Sequence, residues 1–228
     1  MATSGAVTLD YSVTELIEEA YERAGVDIQT LNAHHADSAR RSMNLIFSHW
    51  GTKGVHQWAI DNQTQMVTDG TNTYTLPAGT IDVISAVLTR DGVSTPMVRI
   101  GQTEYHQIPD KTVEGRPDRF WIDRTISSMT MYVWQTPENS TDIIDYWRMR
   151  RLYDVTAATE TPDVPWLWWE ALSADLALRL FDKKPIEQRD PSVRRDLRVA
   201  KIETFDSARA EDRDRASTQI VPCVRTIR

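Results

Sequence analysis

The spacing of hydrophobic residues changes twice along this chain, and that change limits the folds open to it. From Ser12 to Trp50 apolar residues recur at three- and four-residue intervals. From about Gln57 to Leu152 they fall in short alternating runs, and from Trp166 onward the helical interval returns. The two patterns cannot substitute for each other, because side chains share a helix face about every 3.6 residues and a strand face every second residue. The order is therefore two helices, many strands, two helices. The expected fold class is α+β: the helical ends pack together as one bundle, and an antiparallel β domain, a sandwich or barrel, is inserted between them. The expected divisions are 1–56 for the first half of the bundle, 57–152 for the β insertion, 165–210 for the second half, and 211–228 for an extension of the last helix with a tail.

Local signals support each element. Ser12-Val13-Thr14-Glu15 is a capping box, in which hydroxyl and carboxylate each satisfy one free backbone N–H. The helix it opens puts Val13, Leu16, Ile17, Ala20, Tyr21 and Ala24 on one face, and Gly25 stops it. A second helix is predicted from Ala33 to Trp50, through Ala36, Ala39, Met43, Ile46 and Phe47, with Gly51 ending it. Strands are predicted over 57–67, 73–76, 82–90, 96–100, 119–123, 129–134 and 143–152, with a short helix at 102–107. Asp69-Gly70, Pro77-Ala78-Gly79 and Asp91-Gly92 serve as turns. Behind Pro165, the residues Trp166, Trp169, Leu172, Leu176, Ala177 and Leu180 mark a third helix reaching about Lys183. The last helix is expected from Ser192 to Ser217, with Val193, Leu197, Ala200, Ile202, Phe205 and Ala208 inward. Its second half, ARAEDRDRAS, shows no apolar face.

Composition narrows the function. Hydrophobic residues at 40% and charged residues at 26% are those of a folded chain, and no apolar run approaches the roughly 18 residues that cross a bilayer. The beginning, MATSGAVTLDYS, has no basic and then apolar segment of the secretory kind. A net charge of −7 argues against a broad surface that neutralises phosphates. The one cysteine, Cys223, allows no internal disulfide and no multi-cysteine metal site. Eight tryptophans exceed what one core of this size needs and point to buried contacts with partners.

The chemistry-bearing patterns are thin. None of the nine glycines falls in a phosphate-binding loop, and there is no nucleophile elbow. His34 and His35 are adjacent and so point about 100° apart on a helix, which suits a solvated helix start better than a metal site. His49 and His56 have no carboxylate pattern beside them, and Asp118, Asp123, Asp142 and Asp145 have the density of an acidic surface. No catalytic residue, metal ligand or cofactor is expected. Two stretches stand out as subunit-interface candidates. On a strand, Arg148 and Arg150 share one face and Trp147, Met149 and Arg151 the other, a basic stripe that could meet DNA or a partner's carboxylates. In Trp166-Leu167-Trp168-Trp169 the indoles spread around a helix too widely for one core face to bury them all.

The segments IPDKTVEGRPDRFWIDR, YVWQTPE and DYWRMRRLYDV, the stretch TPDVPWLWWEALSADLALRL and the ending FDSARAEDRDRAS together resemble the head-to-tail adaptor proteins of tailed, particularly short-tailed, bacteriophages, over most of the chain from about Leu16 to Ser217. The resemblance implies a non-enzymatic virion protein, assembled in the host cytoplasm, of which about a dozen copies form a ring under the portal protein. Such a ring would extend the DNA channel toward the tail nozzle protein, and genomic DNA would pass without sequence-specific binding; no membrane is involved. It also implies that the carboxy-terminal helix and tail dock on the portal, which by position places Glu211, Asp212, Arg213, Arg215, Ile220, Val221 and Arg225 in that contact. Two other readings remain open at this point. One is a tail-associated module that recognises a receptor or glycan through exposed tryptophans, and the other is a hydrolase built from scattered carboxylates.

Overall fold

The computed structural model describes residues 10–55, 57–125 and 128–212. Helix α1, Val13–Arg23, starts at the expected reciprocal cap, with the Glu15 N–H donating to Ser12 Oγ at 3.3 Å and the Ser12 N–H to Glu15 Oε2 at 2.8 Å. Helix α2, Ala33–Thr52, opens with a second reciprocal cap: the His35 N–H donates to Asn32 Oδ1 at 3.1 Å, and the Asn32 N–H to His35 Nδ1 at 3.3 Å. Gly51 does not end this helix. It lies inside the last turn, and the left-handed position that reverses the chain is taken by Gly54, at φ 76°.

Among the described residues ten strands follow: β1 Ile60–Met66, β2 Thr73–Thr75, β3 Thr80–Arg90, β4 Val93–Pro96, β5 Val98–Arg99, β6 Glu114–Gly115, β7 Arg119–Arg124, β8 Met129–Trp134, β9 Thr136–Pro137 and β10 Ile143–Arg150; helix α3, Gln102–Gln107, lies between β5 and β6. One sheet runs β1-β10-β3-β4, all antiparallel, and another β2-β8-β7-β5. The expected sandwich is therefore present, as two sheets and not as a closed barrel. Two short pairs depart from the antiparallel expectation, β5 with β7 and β6 with β9, both parallel. The sheets bury alternate residues against each other, Val83, Leu88, Ile144 and Tyr146 from the first and Phe120, Ile122, Met131 and Val133 from the second. Asp91 and Gly92 both take positive φ, 52° and 77°, as a two-residue hairpin turn between β3 and β4 requires.

Helix α4, Trp169–Phe181, is the centre of the helical packing, and α5, Pro191–Glu211, lies beside it. Both ends of the chain build one core here, with Leu16, Met43, Ile46 and Trp50 from the first end and Leu172, Leu176, Phe181, Leu197 and Phe205 from the second. Because α1, α2 and α5 all pack on α4, its burial extends around the helix to Ser173 and Asp175. Ser173 is satisfied by donating to the Trp169 carbonyl at 3.0 Å. Asp175, 2% exposed, pairs with Lys201 Nζ at 2.8 Å and ties α4 to α5. One expectation for α5 needs correction: Ile202 is 51% exposed, since only one side of α5 meets α4. Ala208, expected inward, is buried.

Candidate interaction surfaces

Strand alternation puts Arg148 and Arg150 on the same side of β10, as expected, but that side faces inward. Arg148 is 5% exposed; its Nε and Nη2 grip both oxygens of Asp61 at 2.7 and 3.1 Å, and its Nη1 donates to Thr80 Oγ1 at 3.1 Å. The Arg148–Asp61 hydrogen bonds hold the Asp61 carboxyl below the ordinary carboxylate range, and they raise the arginine in turn. Arg150 lies over the Tyr153 ring at 4.2 Å and is paired with Asp163, whose Oδ2 also accepts the Tyr153 N–H at 2.9 Å. The Asp163 carbonyl accepts the Trp58 indole N–H at 3.0 Å, so this cluster stitches the sheet to the loop leading into α4. The expectation of a basic stripe offered to DNA or a partner is thereby corrected: both guanidiniums are spent within the chain.

The tryptophans divide in the same way. Trp168 and Trp169 are buried at 1% and 8% exposure, Trp168 against Trp50, Trp58 and Phe205, and Trp169 with its indole N–H on the Val164 carbonyl at 3.1 Å. As core residues they cannot also form a surface contact, which corrects their assignment to an interface. Trp166 and Trp147, at 71% and 48% exposure, remain open.

The two sheets treat their outer faces differently. On the second, Trp121 and Tyr132 stack 4.9 Å apart at 27°, and Tyr105 of α3 stacks on Trp121 at 5.3 Å, so the short helix covers that face. On the first, the register sets Trp147 between Asn62 of β1 and Ser85 of β3, with exposed Met66 at the far end of β1. Polar groups on this face hydrogen-bond one another: Asp145 accepts from Thr64 at 2.9 Å and from Thr89 at 3.4 Å. Among the described residues no element lies over Trp147 as α3 lies over Trp121. An indole set in a hydroxyl-lined strand face has the chemistry of a protein contact, apolar in the middle and polar around it.

The carboxylates considered from sequence do not gather at one point. Asp142, 1% exposed, is held by Arg90 at 2.7 Å, Asp145 lies on the outer face just described, Asp123 is on β7 of the other sheet, and Asp118 immediately precedes that strand. No cluster among the described residues has the makeup of a metal site, and no helix among them is long and apolar enough to cross a membrane. A groove of about 560 Å³ at the end of α5 is lined by Gly54, Gln57, Trp168, Arg209 and Asp212. Of the expected portal-contact residues, Glu211 and Asp212 lie at this end, while Arg213, Arg215, Ile220, Val221 and Arg225, like Cys223 and His56, lie outside the described residues.

A family model for phage adaptor structural proteins matches residues 13–223, from the first residue of α1 to beyond the end of α5. Its description is SU10 adaptor protein, and the chain belongs to that family. No curated protein matches the chain.

Proposed function

We propose that this phage adaptor works as one subunit of a ring of about a dozen copies that sits under the portal protein, continues the DNA channel and joins it to the tail nozzle. The observation that carries the reading is the family match, which spans both helical ends and the whole sandwich. The uncovered outer face around Trp147 and the exposed Trp166 supply surfaces for neighbouring copies, since indoles left in water by a folded chain are the commonest anchors of protein contacts. The helical core is the body of the subunit, the sandwich faces neighbours and the next tail component, and residues 211–228 dock on the portal. The chain's acidic balance suits a lumen through which duplex DNA slides, because negative walls repel phosphates and do not exchange counterions with them.

The test is light scattering coupled to size exclusion, on the protein alone and mixed with the portal ring from the same genome. Co-elution as a ring-sized complex is expected. A protein that never joins the portal under any condition would overturn the reading.

A further inference from the structure

Three helices share a positive seam in a chain of net charge −7. Lys183, just past the end of α4, sets its ammonium against α2, donating to the Ser38 carbonyl at 2.9 Å, to Ser38 Oγ at 2.8 Å and to Ser42 Oγ. All three are neutral oxygens, so its charge is not compensated. Burial, and then the nearby Arg41 and Arg179, hold it below the usual lysine value. Arg179 shares one carboxylate, Asp175, with Lys201 of α5, at 3.4 and 2.8 Å, and Asp175 is only 2% exposed. The other carboxylates at hand are taken, Asp37 by Arg40 at 3.0 Å and Asp182 by Arg194 at 2.7 Å. Among the described residues Arg41 and Lys183 form no ion pair, and both are exposed. Four cations around a single buried carboxylate repel one another unless an anion from outside covers them.

Helix α1 carries the opposite charge. At about 3.6 residues per turn, Glu15, Glu18 and Glu22 fall within about 60° of one another, opposite the buried Val13, Leu16, Ile17 and Ala20. Arg23, the basic residue of this helix, is taken by Glu19 at 2.6 Å and by Glu170 at 2.7 Å. Glu18 and Glu22, one turn apart, therefore repel with no cation between them. This stripe turns away from α4, whereas the seam runs over α4 between α2 and α5, so one chain cannot bring the two together. A second copy can.

We propose that the acidic stripe of α1 in one copy docks on the seam formed by Arg41, Arg179, Lys183 and Lys201 in the next. The two surfaces differ, so the contact is head to tail and repeats from copy to copy until the assembly closes. The inference rests on the ring reading and names one contact within it. Duplex DNA fits the seam less well. Lys183 spends its donors on Ser38 and Ser42, and a seam that held phosphates would arrest the sliding that an acidic chain favours.

Charge reversal on either side, read by light scattering with the portal ring, tests it. Glu18→Lys with Glu22→Lys, and separately Arg41→Glu with Lys183→Glu, should each form at least about tenfold less ring-sized complex than the parent. The Ser38 and Ser42 hydroxyls can donate to a carboxylate at position 183, and Arg41→Glu alone, at an exposed side chain, should act in the same direction. An equal mixture of the two double variants should restore the complex, because each reversed stripe then meets a reversed seam and each native stripe a native seam. Damage to folding is not cured by mixing. Full assembly by either double variant alone would overturn the proposal while leaving the ring reading intact, and a parent that forms no ring overturns both. A mixture that stays unassembled also overturns it, as does retardation of duplex DNA by the parent but not by Arg41→Glu, which assigns the seam to phosphates.

Discussion

Arg148 shows how little a charged residue's sequence position says about its role. Removing its guanidinium leaves Asp61 only the longer contacts with Gln63 at 3.4 Å and Arg150 at 3.9 Å, while Thr80 keeps its bond to the Pro77 carbonyl, so Arg148→Met is expected to cost about 2 kcal/mol, less than a fully buried pair because Asp61 keeps some water. Arg151→Met, at an exposed ion pair with Asp154, should change stability by less than about 0.5 kcal/mol. Urea unfolding of both variants checks the contrast, and equal midpoints would remove Arg148 from the framework. The same pairs set a pH dependence. Hydrogen bonds from Arg148, Arg23 and Arg194 hold Asp61, Glu170 and Asp182 below their unfolded values. A depressed carboxyl stabilises the fold above its unfolded pKa, and that stability is lost as pH falls through the folded value. The urea midpoint should therefore be level from pH 7 to pH 5 and fall below about pH 4, with a shallower fall in Asp61→Asn.

Within elements, glycine positions of opposite character give predictions of opposite sign. Gly51 sits in helical backbone with nothing within 4 Å of where a Cβ would be, so Gly51→Ala should stabilise by about 0.5 kcal/mol. Gly92 has open space too, but its φ of 77° is one that L side chains other than asparagine and aspartate rarely adopt, and Gly92→Ala should cost about 1 kcal/mol. Thermal unfolding separates the two. These positions also show what the sequence could reveal. The Asp91-Gly92 hairpin and the Ser12 to Glu15 cap were legible because the residues that make them are adjacent and few types can do so. The Asn32 to His35 cap was not, since a histidine imidazole there replaces the usual carboxylate. Helical spacing placed Ile202 on an apolar stripe, yet how the neighbours of α5 sit against it determines how much of that stripe is covered. Alternation likewise put Arg148 and Arg150 together on β10. Which side of the sheet is buried depends on Asp61 and Asp163, distant in sequence, and no local pattern carries that information.

At the scale of the whole molecule, the tryptophans separate folding from assembly. Trp168 packs against two other indoles and Phe205, so Trp168→Ala should cost about 3 to 5 kcal/mol and lower the melting temperature sharply. Trp147 and Trp166 already contact water, so replacing either with glutamate should leave the unfolding free energy from urea titration within about 0.5 kcal/mol of the parent. In the proposed ring these two positions are covered by a neighbour, where an unpaired carboxylate is costly to bury. Trp147→Glu and Trp166→Glu are thus expected to stay folded and yet to lose the ring-sized complex with the portal, as seen by light scattering. Because the stability measurement is made on the same samples, a lost complex cannot be blamed on misfolding. If both folded variants join the portal as well as the parent does, the contacts between copies lie elsewhere, and the uncovered face around Trp147 has another use.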